Sequence, residues 1–215
     1  MCRVIIGCGT GRCGTVSLAK LLNNQPETKA THERLPRLPW RVDFHLLYTR
    51  ISQFRQELRK VTRIADVAFY YLPYIPYLLR EFPTLRVVAL QRDREETVRS
   101  YSEKLGPRNH FLDHPEEFGY RPDPRWDPCY PKYPPVRRET ALRIYWEEYY
   151  RVVFDYMNRW PENVCLFSID HLNSREGQRE ILNFCGIPED RHVYILPLRE
   201  NVGPNGYKRI NLERR

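Results

Sequence analysis

The residues best suited to chemistry lie at the start of the chain, in the stretch Gly9-Thr10-Gly11-Arg12-Cys13-Gly14-Thr15-Val16-Ser17-Leu18. The apolar run before it, Val4-Ile5-Ile6, suits a buried parallel strand, and beyond Thr15 the spacing of Leu18, Ala19, Leu21 and Leu22 is helical. A glycine-rich turn between strand and helix lets backbone N–H groups converge on an anion, and the helix N-terminus adds partial positive charge. This is a phosphate cradle. It holds a cation, Arg12, inside the turn and two hydroxyls, Thr15 and Ser17, on the first helical turn.

Several phosphate ligands compete for such a loop. A Walker loop requires a lysine after the last glycine, followed by Ser or Thr; here Gly14 runs directly into Thr15. Without that lysine, Asp66 loses its case as a magnesium ligand. The dinucleotide pattern G-x-G-x-x-G fits literally as Gly9, Gly11 and Gly14, with Glu33 about where a ribose-binding acid belongs. That pattern leaves Arg12, Thr15 and Ser17 without a task, whereas a dianionic terminal phosphate uses all three. Cys13 invites comparison with a nucleophile, because a helix N-terminus lowers a thiol pKa, yet no base accompanies it.

On these residues the chain resembles the sulfotransferases that use 3′-phosphoadenosine 5′-phosphosulfate, whose 5′-phosphate loop reads roughly G-x-x-[RK]-[ST]-G-T-[TS]-x-L after the first strand. Gly9, Arg12, Gly14, Thr15 and Leu18 match, while Cys13 and Val16 depart from the small hydroxyl residues common there. The resemblance implies that Gly9, Gly11, Arg12, Cys13, Gly14, Thr15, Val16 and Ser17 hold the donor's 5′-phosphate. Arg12 would also neutralise charge on the bridging oxygen of the leaving phosphate, with no metal required.

Residues 28–33 read as a short second strand, with His32-Glu33-Arg34 at its C-terminal end. Ligands of open α/β sheets gather outside the carboxyl ends of strands, which puts this triplet beside the loop. A carboxylate there can take a proton from an acceptor hydroxyl. The resemblance implies a Glu or His base just after the second strand; Glu33 is the closest match and His32 its competitor. The plain alternative is a solvated Glu33 paired with Arg34.

A second motif follows the apolar strand 85–90: Gln91-Arg92-Asp93-Arg94, then a helix through Glu95, Glu96, Val98 and Tyr101, with Ser100 eight residues after Arg92. In the sulfotransferases an Arg and a Ser so placed clasp the donor's 3′-phosphate. A guanidinium offers a fork for phosphate oxygens, and a hydroxyl about two helical turns on reaches back to the same group. A structural network of Arg92 with Glu95, or of Asp93 with Arg94, is the alternative. The family's late basic, glycine-containing segment corresponds to the tail after residue 198, where Lys208 and Arg209 are candidates for further 3′-phosphate contacts.

The elements that must position these groups follow from periodicity. Phe44, Leu47, Ile51, Phe54 and Leu58 mark a helix, with Arg50, Arg55, Arg59 and Lys60 on a basic, solvated outer face. Residues 63–69 suit a third strand and 70–82 a helix that Pro73 and Pro76 must begin or break. Residues 106–135, rich in proline and aromatics, form a long irregular insert, expected as the lid or wall of an acceptor pocket. His110 and His114 within it lack a third ligand partner. A long helix over 136–159 carries the core stripe Leu142, Tyr145, Trp146, Tyr149, Val153 and Tyr156; a strand at 163–169 and a helix at 174–185 follow, the latter closing on Gly186.

A chain of 215 residues can bury one sizeable core. The net charge of +8 favours anionic ligands without choosing among nucleotide, nucleic acid, sulfated glycan and lipid headgroup. No apolar run approaches the ~20 residues of a membrane span, and no signal peptide is evident. The six cysteines show neither C-x-x-C nor zinc spacing. A reduced, cytoplasmic chain is expected. The fold expected is a single α/β domain over 1–215, a largely parallel five-stranded sheet with helices on both faces and a P-loop-like phosphate-binding loop. The expected reaction is in-line transfer of a sulfuryl group from the nucleotide donor to a hydroxyl, or an amine, of an acceptor not identified by the sequence. No nucleic acid or metal is expected as partner. A kinase or NAD-binding oxidoreductase using the same loop, and a non-catalytic basic anion-binding module, are the rivals.

Overall fold

Five strands, β1 (Val4–Cys8), β2 (Thr28–His32), β3 (Arg63–Val67), β4 (Arg86–Gln91) and β5 (Val164–Ser168), pair in parallel in the order β2-β3-β1-β4-β5. The computed structural model describes residues 2–197. Lys208 and Arg209 therefore lie outside the described residues. The register sets Gly7 against Val67 on one side and Val88 on the other, His32 against Val67, and Gln91 against Ser168. From β1 the chain moves to β2 and β3 on one side; from β4 it moves to β5 on the other. The crevice beyond the carboxyl ends of β1 and β4 is thus the topological switch point, where such sheets bind ligands.

Parallel strands buried on both faces need continuous apolar runs, and β1 and β3 are buried along their whole length. On one face α1 (Thr15–Asn23) and α6 (Arg175–Phe184) seal Ile5, Ala65, Val88 and Phe167 with Leu18, Leu22, Ile181 and Leu182. On the other, Val4, Ile6, Ile64, Val87 and Ala89 pack against Phe54 of α2 (Phe44–Glu57), Leu78 of α3 (Ile75–Glu81), Val98 of α4 (Arg94–Leu105) and Tyr149 of α5 (Arg138–Arg159). Helices cover both faces, as expected.

Three local expectations need correction. The third strand ends at Val67, and the segment after it is a 3-10 turn, Phe69–Tyr74, that precedes α3. Pro73 sits inside that turn and Pro76 in the first turn of α3, in keeping with a helix that the two prolines must begin or break. The second strand stops at His32, because Glu33 takes a left-handed φ of 55°. Arg50, expected on a solvated face of α2, is fully buried: its Nη1 lies 3.0 Å from Asp66 Oδ2, and neither side chain is exposed. A buried guanidinium is tolerated only where its donors are met. Here its Nη2 also donates to the carbonyls of Arg34 and Pro36, both at 2.6 Å, while Asp66 accepts from Tyr71 (2.6 Å) and Thr31 (2.7 Å).

The insert between α4 and α5 is irregular apart from two short 3-10 turns, Pro115–Phe118 and Asp127–Cys129. Phe111 and Tyr130 anchor it in the core, and Tyr130 stacks on Phe69 with ring centroids 4.4 Å apart. His110 is not a bare surface residue: Nδ1 pairs with Asp127 Oδ1 at 2.6 Å and the ring stacks on Tyr130.

Candidate active site

The loop between β1 and α1 winds through four residues of positive φ: Gly9 (144°), Gly11 (84°), Arg12 (57°) and Gly14 (87°). Such a run turns successive N–H groups to one side. Two of the glycines are required by space as well. A Cβ at Gly11 would stand 2.2 Å from the Tyr101 hydroxyl, and one at Gly14 2.9 Å from Leu172. Gly14 is the N-cap of α1 and offers no side-chain cap; the amides of the first helical turn, Thr15 and Val16, have no partner within the helix. Thr15 is 8 % exposed and Ser17 3 %, both on the inner side of α1, whereas Val16 is half-buried. Cys13 points into the core and is fully buried, and burial pushes its thiol up to about 11. The comparison with a nucleophile fails: desolvation outweighs the helix terminus.

Tyrosines from distant elements hold this loop from beneath. The Gly9 N–H donates to Tyr149 Oη (3.0 Å), whose own hydroxyl donates to Phe69 O (2.9 Å). Tyr101 Oη donates to Thr10 O at 2.5 Å, and Tyr150 Oη to Leu90 O at 2.7 Å. In sequence Tyr149 reads as part of a core stripe and Tyr101 as a helical residue after Arg92, with no role for either hydroxyl. Their hydroxyls are what the periodicity could not reveal, since a 3.6-residue repeat encodes which side is buried and not which atom meets it.

At the switch point the loop meets the end of β4 and the start of α4. Arg12 Nε donates to Ser100 Oγ at 3.0 Å, and Arg92 Nη1 donates to the Arg12 carbonyl at 3.3 Å. Arg12, Arg92 and Ser100 thus form one corner. Arg92 Nε also pairs with Glu96 Oε2 at 2.9 Å, and Asp93 caps α4 through the Glu96 N–H. The pairing partner is Glu96, one helical turn on, and not Glu95, which instead engages Arg143 and Arg94. Beside this corner a cleft of about 500 Å³ opens between the ends of β4 and β5, lined by Gln91, Arg92, Trp146, Ser168 and Ile169 among others. Trp146 is fixed there by its Nε1–H, which donates to Arg92 O at 3.1 Å.

On the other side of the loop stand His32 and Glu33. The left-handed turn at Glu33 lets its N–H continue the β3 ladder to Val67 O (3.1 Å) while the chain leaves the sheet. Non-glycine residues pay for that conformation, and such strain gathers at functional sites. His32 Nε2 is 3.1 Å from Thr15 Oγ1, and His32 Nδ1 is 3.6 Å from Glu33 Oε2, so the triplet does reach the phosphate loop. Arg34 is not the partner of Glu33. It turns to Thr31 and Glu57. Burial sets the protonation of both candidates. The Glu33 carboxyl is raised to about 7, against the opposing charge of Arg37 and with that of Asp66. The His32 imidazole is lowered to about 4 by burial and by Arg37. At neutral pH His32 is therefore uncharged and Glu33 titrates.

Arg37 has no precedent in the sequence reading. Its guanidinium lies over the Trp126 ring, 4.0 Å from the centroid, and so joins the segment after β2 to the insert. Trp40 N–H strengthens that junction by donating to Pro128 O at 2.8 Å. Among the described residues no group of three or more His, Cys, Asp or Glu side chains could hold a metal ion. Nor is any helix there long and apolar enough to cross a membrane.

The strand order of the parallel sheet reverses at β1, with a glycine-rich turn after β1 and an Arg–Ser pair after β4, so both features stand at the switch point where open α/β sheets bind ligands. Among solved structures the likeness is to sulfotransferases. A sulfotransferase from Alicyclobacillus acidocaldarius superposes with a TM-score of 0.54 at 17 % identity, over 93 % of this chain and 86 % of that one. Mouse sulfotransferase SULT7A1, complexed with PAP, superposes with a TM-score of 0.52 at 16 % identity, over 86 % of this chain. The match spans 60 % of the mouse chain. No family model matches the sequence, and no curated protein matches it. The chain has the sulfotransferase fold.

Proposed function

We propose that the protein transfers a sulfuryl group from 3′-phosphoadenosine 5′-phosphosulfate to an acceptor hydroxyl. The observation that carries this reading is the meeting of Arg12, Ser100 and Arg92 within 3.0–3.3 Å contacts on one side of the glycine nest, with Glu33 and His32 on the other. Two anion sites so placed grip the two phosphates of one adenosine, and leave a titratable carboxyl where an acceptor enters.

The groups fit that donor. The nest and the first amides of α1 suit the 5′-phosphate, with Thr15 as a hydroxyl contact. Arg92 and Ser100 suit the 3′-phosphate, and the cleft beside Trp146 is of a size for the adenosine. Arg12 stands between the two sites, its backbone in the nest and its side chain on Ser100. A 3′-phosphate that takes the Ser100 hydroxyl frees the Arg12 guanidinium to neutralise charge on the leaving 5′-phosphate, work of a few kcal/mol in a dry site. Glu33 takes the acceptor proton as the acceptor oxygen bonds to sulfur and the bond from sulfur to the phosphate oxygen breaks. A carboxylate poised near neutrality suits that role better than an imidazole near 4 that is already engaged by Thr15. His32 then holds Thr15 and orients Glu33. The insert, packed over the segment that carries Glu33, forms one wall of the acceptor site.

The test is turnover and binding in parallel. The reading expects the protein to bind 3′,5′-bisphosphoadenosine in preference to ATP and NAD, and Arg12→Ala to lose nearly all sulfuryl transfer. Full activity in Arg12→Ala removes the mechanism. Preference for NAD or ATP removes the class.

A further inference from the structure

Arg37 is a guanidinium with no carboxylate within ion-pair distance among the described residues, although its charge lowers the Glu33 carboxyl. Among the described residues it makes no hydrogen bond and no ion pair; its guanidinium lies over the face of Trp126 at 4.0 Å. Its Nε is sealed from solvent with no acceptor. Its two terminal Nη groups, which make the fork that pairs with carboxylates, likewise donate no hydrogen bond among the described residues and are not sealed as Nε is. This contrasts with Arg50 beneath it, whose donors are all met by Asp66, Gln53, Tyr71 and two carbonyls. A half-buried guanidinium held over an indole with its fork unpaired can receive an anion.

Its place says which ligand. Arg37 follows Glu33 by four residues and lies over Trp126 of the insert, so it joins the segment of the proposed base to the insert wall, and its charge lowers both the Glu33 carboxyl and the His32 imidazole. The donor's phosphates have their own cations in Arg12 and Arg92, across the loop. We infer that Arg37, backed by Trp126, receives a carboxylate of the acceptor, so that the acceptor class is a hydroxyl compound bearing a carboxylate near the hydroxyl to be modified. This rests on the sulfotransferase reading and deepens it.

The test uses isosteric pairs on the full chain, measured by calorimetry with and without saturating 3′,5′-bisphosphoadenosine. One pair is 4-hydroxyphenylacetate and 4-hydroxyphenylacetamide; the other is phenyl β-glucuronide and its uronamide, so that aryl and glycosyl sources of the carboxylate are distinguished. The expected result is binding of one acid at least about tenfold tighter than its amide. In Arg37→Gln the preference falls within about twofold, Arg37→Lys keeps part of it, and affinity for the bisphosphate is unchanged. Equal binding of acid and amide in both pairs, including no binding of either, overturns the inference. So does a preference that survives in Arg37→Gln, or an equal loss for acid and amide. Failure of the bisphosphate itself to bind is read separately, and marks failure of the sulfotransferase reading.

Discussion

Replacing Glu33 by Gln should stabilise the protein and silence it at once. The carboxyl has a pKa of about 7 in the fold against an ordinary 4.5. At ~1.4 kcal/mol per unit, ionising it in the native chain costs about 3 kcal/mol more than in the unfolded one. Because the folded value is the higher, the native state holds the proton more tightly between 4.5 and 7, so this residue's contribution to stability falls as pH rises through that window. His32 works the other way: with a folded pKa of about 4 against 6.5, its contribution rises over nearly the same range. In the wild type the two largely offset each other. Glu33→Gln removes one of them, so chemical denaturation from about pH 4 to 8 should show a variant equal to the wild type at the acid end and more stable by up to ~3 kcal/mol at the alkaline end. Turnover should fall by roughly 10² to 10⁴, the usual worth of a general base. Stability curves that run parallel across that range would refute the burial argument, whatever the activity.

Other perturbations separate the parts. Glu96→Gln removes a carboxylate paired with Arg92 at 2.9 Å, and should tighten binding of 3′,5′-bisphosphoadenosine several-fold at low salt, with the gain fading as salt rises; calorimetry at two ionic strengths checks this. Arg50→Met strands Asp66 and releases the carbonyls of Arg34 and Pro36, and should cost about 3–5 kcal/mol in denaturant unfolding. Tyr149→Phe takes the acceptor from the Gly9 amide and should cost about 1–3 kcal/mol, together with weaker binding of the bisphosphate. A variant as tight and as stable as the wild type would show that the tyrosines do not hold the loop.

The strands and the glycine-rich turn between β1 and α1 were legible because their signals are local. Val4 to Ile6 and Leu85 to Leu90 are apolar runs that only a doubly covered strand can use, and the glycines punctuate the turn where the helix must start. The Arg92–Ser100 spacing was legible too, since both lie on one strand–helix unit. Other features depend on contacts far apart in the chain. Arg50 read as one of several basic residues on an outer face; only the placement of Asp66, on a different strand, draws it inside. The bond from the Gly9 amide to Tyr149 spans 140 residues. Arg37 has no motif around it, and its meaning comes from Trp126 in the insert. The left-handed turn at Glu33 was hidden because nothing in a non-glycine residue announces positive φ.

The central claim is that two anion sites, one in the glycine nest and one at Arg92 and Ser100, read the two phosphates of a single adenosine. Isothermal titration of 3′,5′-bisphosphoadenosine and of 5′-AMP into wild type and Arg92→Ala tests it most directly. The account predicts that the bisphosphate binds the wild type at least about a hundredfold tighter than 5′-AMP, and that Arg92→Ala loses most of this difference while binding 5′-AMP as before. Equal affinity for the two nucleotides in the wild type, or a preference untouched in Arg92→Ala, would contradict it.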